Sequence, residues 1–256
     1  MRRDVRLLVD GLTIVGQLYL PEKIGPPYPG VILCHGIPSG IVDPADGGYP
    51  LLAKTVSAEG FAVLTFSFRG SGASQGNFNI AGWSHDLEAA IDYLWGLPEI
   101  DDAQISVVGF SAGASVSIYV AAQDKRVSAV VACACPSSFS AISETKKPQD
   151  TINYFRQIGI IRDPGYPQST EKWLSDFRKI NALHCVADIA PRPLLLVHAS
   201  GDSVVPLHNA ERLYQKAGEP KQIVVLEGSE HRLRRHEKAV SEIICWLKEQ
   251  AVSSPA

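Results

Sequence analysis

Long apolar runs are missing from this 256-residue chain, and no stretch approaches the roughly 20 residues that a membrane-spanning helix needs. Arg2, Arg3 and Arg6 stand near the N-terminus without an apolar run of signal-peptide length, so a cytoplasmic setting is expected. An excess of either charge is lacking too. The 24 Lys and Arg against 27 Asp and Glu leave a formal net charge of −3. That balance gives no electrostatic case for nucleic acid or an anionic membrane as a partner. Cysteine is sparse and odd in number: Cys34, Cys133, Cys135, Cys185 and Cys245. Cys133 and Cys135 stand two apart on an expected strand and share a face as buried thiols. Neither a disulfide framework nor a zinc spacing emerges, and no metal or other cofactor is expected. Repeats and low-complexity tracts do not stand out. At 45% hydrophobic and 20% charged residues, the composition is that of a globule with a sizeable core. The length suits one large α/β domain better than two small ones.

Apolar runs and helical spacings alternate along most of the chain. Segments 5–9 and 12–20 flank Asp10-Gly11, a hairpin signal. Residues 31–34 form a continuous apolar run of the buried parallel type, and 49–59 reads as a helix ending at Gly60. A strand at 61–66 leads to a helix marked by Trp83, Leu87, Ala90, Ile91, Leu94 and Trp95. Further strands are expected at 104–108, 127–134, 194–197 and 222–226, and helices at 207–216 and through Val240, Ile243, Ile244 and Leu247. The pattern predicts an α/β fold: a mainly parallel sheet of about eight strands, helices on both faces, and an antiparallel hairpin at one edge. Between 137 and 189 the alternation breaks. Helices at 150–159 and 170–180 flank Asp163-Pro164-Gly165-Tyr166-Pro167, and the stretch is too long for a simple connection. It reads as a small, mainly helical cap inserted into a single core made of 1–136 and 190–256. Phe139, Tyr154, Phe155, Ile158 and Trp173 are its candidates for a substrate-pocket wall, unless each merely packs the cap onto the sheet.

The chemistry concentrates at Gly109-Phe110-Ser111-Ala112-Gly113, which follows an apolar strand and precedes a small-residue helix. Gly-x-Ser-x-Gly in that setting is a nucleophile elbow, a sharp turn that lifts one hydroxyl above the sheet. A serine needs a neighbouring base to take its proton. His231 follows the strand at 222–226 in a loop before the last helix, where a base would stand. His35, His85, His184, His198, His208 and His236 occupy turns, helices or strand ends that suit the role less well. The orienting acid should follow the preceding strand, and Gly201-Asp202 places Asp202 there. An oxyanion needs two donors. The Ala112 N–H follows the nucleophile, and the Ile37 N–H follows the sharp His35-Gly36 turn, whereas Pro38 has no N–H to offer.

Two further stretches carry weaker signals. Gly70-Ser71-Gly72-Ala73-Ser74-Gln75-Gly76 suggests a dinucleotide loop, but its glycine spacing is wrong and Asn77 to Ala81 separate it from the next helix. Arg232, Arg234, Arg235 and Lys238 could attract a carboxylate-bearing substrate, yet read first as a solvated helix face.

Together, His35-Gly36, Phe68-Arg69-Gly70-Ser71-Gly72-Ala73-Ser74, Gly109-Phe110-Ser111-Ala112-Gly113, Gly201-Asp202 and His231 resemble the α/β-hydrolase superfamily. The arrangement is most similar to its small serine esterase and peptidase-like branch, which includes cinnamoyl and feruloyl esterases and acyl-peptidase catalytic domains. The resemblance implies an α/β-hydrolase fold and a cofactor-free serine hydrolase. Its substrate would be a small-molecule ester, or an amide, cleaved through an acyl-Ser111 intermediate with His231 and Asp202. Dienelactone hydrolases resemble the chain too, but use a cysteine where Ser111 stands. Peptidase-like or acyl-transfer activity on the same residues, and a ligand-binding relative without turnover, stay open, as does the choice between monomer and homodimer.

Overall fold

The computed structural model describes residues 1–40, 47–228 and 230–253. β1 (Arg2–Val9) and β2 (Leu12–Tyr19) pair antiparallel with Val9 opposite Leu12. Their turn holds Asp10 and Gly11 at φ of 50° and 77°, the positive twist that a two-residue hairpin requires. Next come β3 (Tyr28–Cys34), α1 (Gly48–Ala58), β4 (Ala62–Phe66), α2 (Ile80–Trp95), β5 (Ile100–Phe110), α3 (Ala112–Gln123) and β6 (Val127–Cys133). Four short helices follow: α4 (Ser140–Ser143), α5 (Pro148–Gln157), α6 (Thr170–Lys179) and α7 (Ala182–Cys185). The chain then runs through β7 (Leu194–Ala199), α8 (His208–Lys216), β8 (Lys221–Leu226) and α9 (Glu237–Ser253).

The eight strands form one sheet in the order β1-β2-β4-β3-β5-β6-β7-β8. β2 is antiparallel to both its neighbours, and every pair from β4 across to β8 is parallel. Strand residues part between two cores with a period of two. Ile32 and Cys34 of β3 face one core, and Val31 and Leu33 the other; Val107 and Val108 of β5 divide the same way. α2, α3 and α8 cover the first core, and α1 and α9 the second. Helices on both faces explain why these strands read as unbroken apolar runs. Each buried Val, Ile or Leu contributes about 1.5–3 kcal/mol relative to exposure.

α2 begins where the Asn79 side chain accepts the Gly82 N–H at 2.6 Å, a standard N-cap. The helix carries the fully buried Asp86 beneath the hairpin. Arg69 meets Asp86 through Nη2 at 2.7 Å and through its backbone N–H at 2.8 Å, and reaches Asp10 in the turn at 2.9 Å. The hairpin is thus anchored to the sheet's flank by charge as well as by packing.

Between β6 and β7 the helices do not form a core of their own. Phe139, Phe155, Trp173 and Phe177 join Phe78 and Trp83 in the first core. The rings of Phe78 and Phe155 lie 4.9 Å apart, and those of Phe139 and Phe177 5.6 Å apart. Element ends differ from expectation for local reasons. α5 starts at Pro148 because proline favours a first helical turn. β5 begins at Ile100, before the register shift at Pro29/Gly30, because Tyr28 and Pro29 of β3 pair with Ile100 and Asp101. Among the described residues, no helix is long and apolar enough to cross a membrane.

Candidate active site

β5 ends at Phe110 and α3 begins at Ala112, so Ser111 alone makes the connection. Its φ of 52° and ψ of −125° lie in a region that costs a side-chain-bearing residue about 1–3 kcal/mol. The flanking glycines permit the turn. A Cβ on Gly113 would stand 2.3 Å from the His35 carbonyl oxygen, and one on Gly109 would stand 2.5 Å from the Ala114 Cα. Ser111 occupies the N-cap position of α3, yet its hydroxyl caps nothing. It lies instead 3.0 Å from His231 Nε2. Ala114 and Ser115 donate to the Ser111 carbonyl, and the Ala112 and Gly113 amides stand ahead of them at the positive end of the helix.

His231 lies in the loop after β8, and Asp202 in the turn after β7. Both turns open at the carboxyl ends of parallel strands, on the same edge of the sheet as Ser111. His231 Nδ1 stands 2.7 Å from Asp202 Oδ2. An ionised carboxylate only accepts, so Nδ1 carries the proton and Nε2 presents its lone pair to the Ser111 hydroxyl. Asp202 Oδ1 accepts the N–H groups of Val204 and Val205 at 2.9 and 2.8 Å, which fixes the carboxylate plane. His198, fully buried below, donates from Nε2 to the Val205 carbonyl at 2.8 Å, and burial lowers its pKa. The acid is 5% exposed. The His231 side chain keeps 21% exposure, enough to meet a substrate.

The loop after β3 runs against this cluster. A Cβ on Gly36 would stand 2.8 Å from Ser111 Cβ, so glycine is what lets the loop pass. His35 Nδ1 donates to the Gly36 carbonyl at 2.7 Å, and Nε2 accepts the Phe68 N–H at 3.0 Å. The bond accepted at Nε2 needs a neutral ring, and burial against Phe68 and Trp83 lowers the His35 pKa to about 4. In a trans peptide the carbonyl and the following N–H point opposite ways. Holding the Gly36 carbonyl therefore turns the Ile37 N–H away from His35. Among the described residues, neither the Ile37 nor the Ala112 amide donates to a protein acceptor.

A cleft of about 520 Å³ opens over Ser111 and His231. Two roomier hollows flank α1 and contain none of these groups. Of the five residues expected to wall the pocket, only Ile158 lines the cleft, where it packs against Gly40. Phe139, Phe155 and Trp173 are 2–6% exposed within the aromatic core, because that core needs their rings to close the sheet's flank. Tyr154 faces outward at 47% exposure. The wall is built instead from Tyr49, Ser67, Ser71, Phe110, Arg232 and Arg234, among others. The basic run divides: Arg235 and Lys238 are exposed, as read, and Arg232 and Arg234 are not. Leu233–Arg235 forms a 3₁₀ turn that buries Leu233, and this sets Arg232 and Arg234 on the cleft wall rather than on a helix face. Burial pushes the Cys34 and Cys135 thiols up to about 12, so neither is a ready nucleophile. Among the described residues, no cluster of three His, Cys, Asp or Glu could hold a metal ion.

A family model for the alpha/beta hydrolase fold matches residues 29–157. The Mycobacterium tuberculosis H37Rv protein Rv2307c is 28% identical over 226 residues, covering 87% of this chain and 69% of the relative. Polyketide transferase grgF from a Penicillium species is 25% identical over 269 residues, with 90% and 89% covered. The crystal structure of GrgF superposes with a TM-score of 0.77 at 23% identity, covering 98% of this chain and 99% of that one. Est1E from Butyrivibrio proteoclasticus, solved with ferulic acid bound, also gives a TM-score of 0.77, at 20% identity over 97% of this chain and 100% of that one. The chain belongs to the α/β-hydrolase fold family.

Proposed function

We propose that the chain hydrolyses carboxylic esters of small molecules through a covalent acyl-Ser111 intermediate. One observation carries this reading: Ser111 Oγ, His231 and Asp202 stand in a continuous line of hydrogen bonds, at 3.0 and 2.7 Å. As Oγ attacks the ester carbonyl carbon, its proton passes to His231 Nε2. Asp202 holds the imidazole in the accepting tautomer and stabilises the imidazolium. The carbonyl oxygen becomes an oxyanion between the Ala112 and Ile37 N–H groups, where fixed dipoles need no reorganisation. When the intermediate collapses, His231 returns the proton to the departing alkoxide. A water molecule, deprotonated by the same nitrogen, then releases the acid and regenerates Ser111. The segment 137–189 acts as a cap that reaches the cleft through Ile158.

Replacing Ser111 with alanine tests the assignment. The variant should fold with an unchanged circular dichroism spectrum and lose p-nitrophenyl butyrate hydrolysis and fluorophosphonate labelling. Retention of wild-type activity would rule the serine out. A second reading, acyl transfer, is favoured by the likeness to the polyketide transferase grgF. Added alcohol as a competing acceptor separates the two: transfer predicts a new ester as the main product, and hydrolysis predicts the free acid.

A further inference from the structure

The charge on the cleft wall narrows the substrate class of this same site, and the inference rests on the ester-hydrolysis reading. Two guanidinium groups, Arg232 and Arg234, line the cleft, and no Asp or Glu does so among the described residues. Arg234 is held over the Tyr49 ring, 5.2 Å from its centroid. Arg232 is placed differently. It follows His231 directly, and its Nη2 donates to Ser39 Oγ at 3.1 Å. Its guanidinium thus bridges the loop that carries the base and the loop that carries the Ile37 N–H. Ser39 is a neutral partner, and no carboxylate among the described residues pairs with Arg232. A guanidinium has five donors in a planar fork suited to a carboxylate, and one hydroxyl takes only one of them. The surrounding protein has a net charge of −3, so this positive wall is a local feature and not a by-product of a basic surface.

We infer that the site takes esters bearing a carboxylate, bound by Arg232 beside the reacting carbonyl, in preference to neutral esters of the same length. The anion would replace water on the unused donors of the fork while Ser39 holds the guanidinium in place.

Matched five-carbon acyl groups test this. The kcat/KM of mono-(4-nitrophenyl) glutarate is compared with that of 4-nitrophenyl pentanoate, and 4-carboxyphenyl pentanoate with phenyl pentanoate. The second pair tells whether the acyl or the alcohol side carries the charge. Wild type should favour the charged member of at least one pair by roughly tenfold at low salt, and the ratio should shrink toward one at high salt. Arg232→Gln should collapse the ratio, and Arg232→Lys should keep most of it. No preference in wild type, or a preference that survives Arg232→Gln, overturns the inference. A binding arm separates this failure from failure of the hydrolytic reading. Calorimetry on the Ser111→Ala variant compares monomethyl glutarate with methyl pentanoate, and 4-carboxyphenyl pentanoate with phenyl pentanoate, with and without Arg232→Gln. Charge-selective binding lost with Arg232→Gln supports the anion site even if wild type cleaves neither pair. Equal or absent binding within both pairs overturns it.

Discussion

At the scale of single residues, the site depends on which nitrogen of each imidazole carries a proton. His231 is set by Asp202, and changing Asp202 to Asn offers an amide that can donate to Nδ1 and trap the wrong tautomer. The Asp202→Asn variant should keep its fold while kcat for p-nitrophenyl butyrate falls by about 10³–10⁴-fold at neutral pH. A loss smaller than tenfold would show that Asp202 does not orient the base. His35 works differently, as a neutral strut. Its pKa of about 4 in the fold lies below the ordinary histidine value. As pH falls from 6.5 toward 4, protons therefore bind the unfolded chain first, and stability is lost over that window. His35→Gln removes this contribution. Urea titrations at pH 7 and pH 5 should show the variant losing up to about 2 kcal/mol less than wild type over the interval. Equal losses in the two proteins would mean that the ring is protonated without cost.

At the scale of elements, the contact between α3 and the end of β3 decides how the loop at 35–40 meets Ser111. Gly113→Ala places a methyl group 2.3 Å from a backbone oxygen, which no flexible side chain can relieve. The variant should lose about 3 kcal/mol of stability in chemical denaturation, and its kcat should fall with it as the Ile37 N–H is pushed off line. Unchanged stability would show that helix and strand can separate freely. This junction was legible in the sequence because its signals are local: two glycines flanking a serine, at the change from an apolar strand to a small-residue helix. The positions of Asp202 and His231 could likewise be read from strand ends. The cleft wall could not. Phe155 and Trp173 have the composition of a pocket and the burial of a core, and no spacing distinguishes a ring behind the sheet's flank from one facing a substrate. Arg232 was visible as a candidate contact for a carboxylate but not as part of the wall, because a run of arginines reads first as a solvated face until Leu233 is seen to turn inward and swing its neighbour toward the cleft.

At the scale of the whole molecule, the aromatic cluster ties segment 137–189 to the sheet. Trp173 lies 6.5 Å from Phe78 and 4.9 Å from Phe177, ring to ring. Phe155→Ala should cost about 3–5 kcal/mol, a loss read from the sheet as a whole. Thermal unfolding should be one transition, with near-ultraviolet dichroism of the tryptophans and far-ultraviolet dichroism of the backbone coinciding. An earlier, separate loss of the near-ultraviolet signal would mark the segment as an independent unit. The shared core also bears on how a new specificity could arise. A segment transplanted from a relative would have to bring rings that fit Phe78 and Trp83, or the host would lose its flank along with its old segment. Residues 37–39 and Arg232 add no ring to that cluster, although they border the cleft. Variation should therefore accumulate there first, and a library confined to those few positions could search substrate space while the scaffold stays intact.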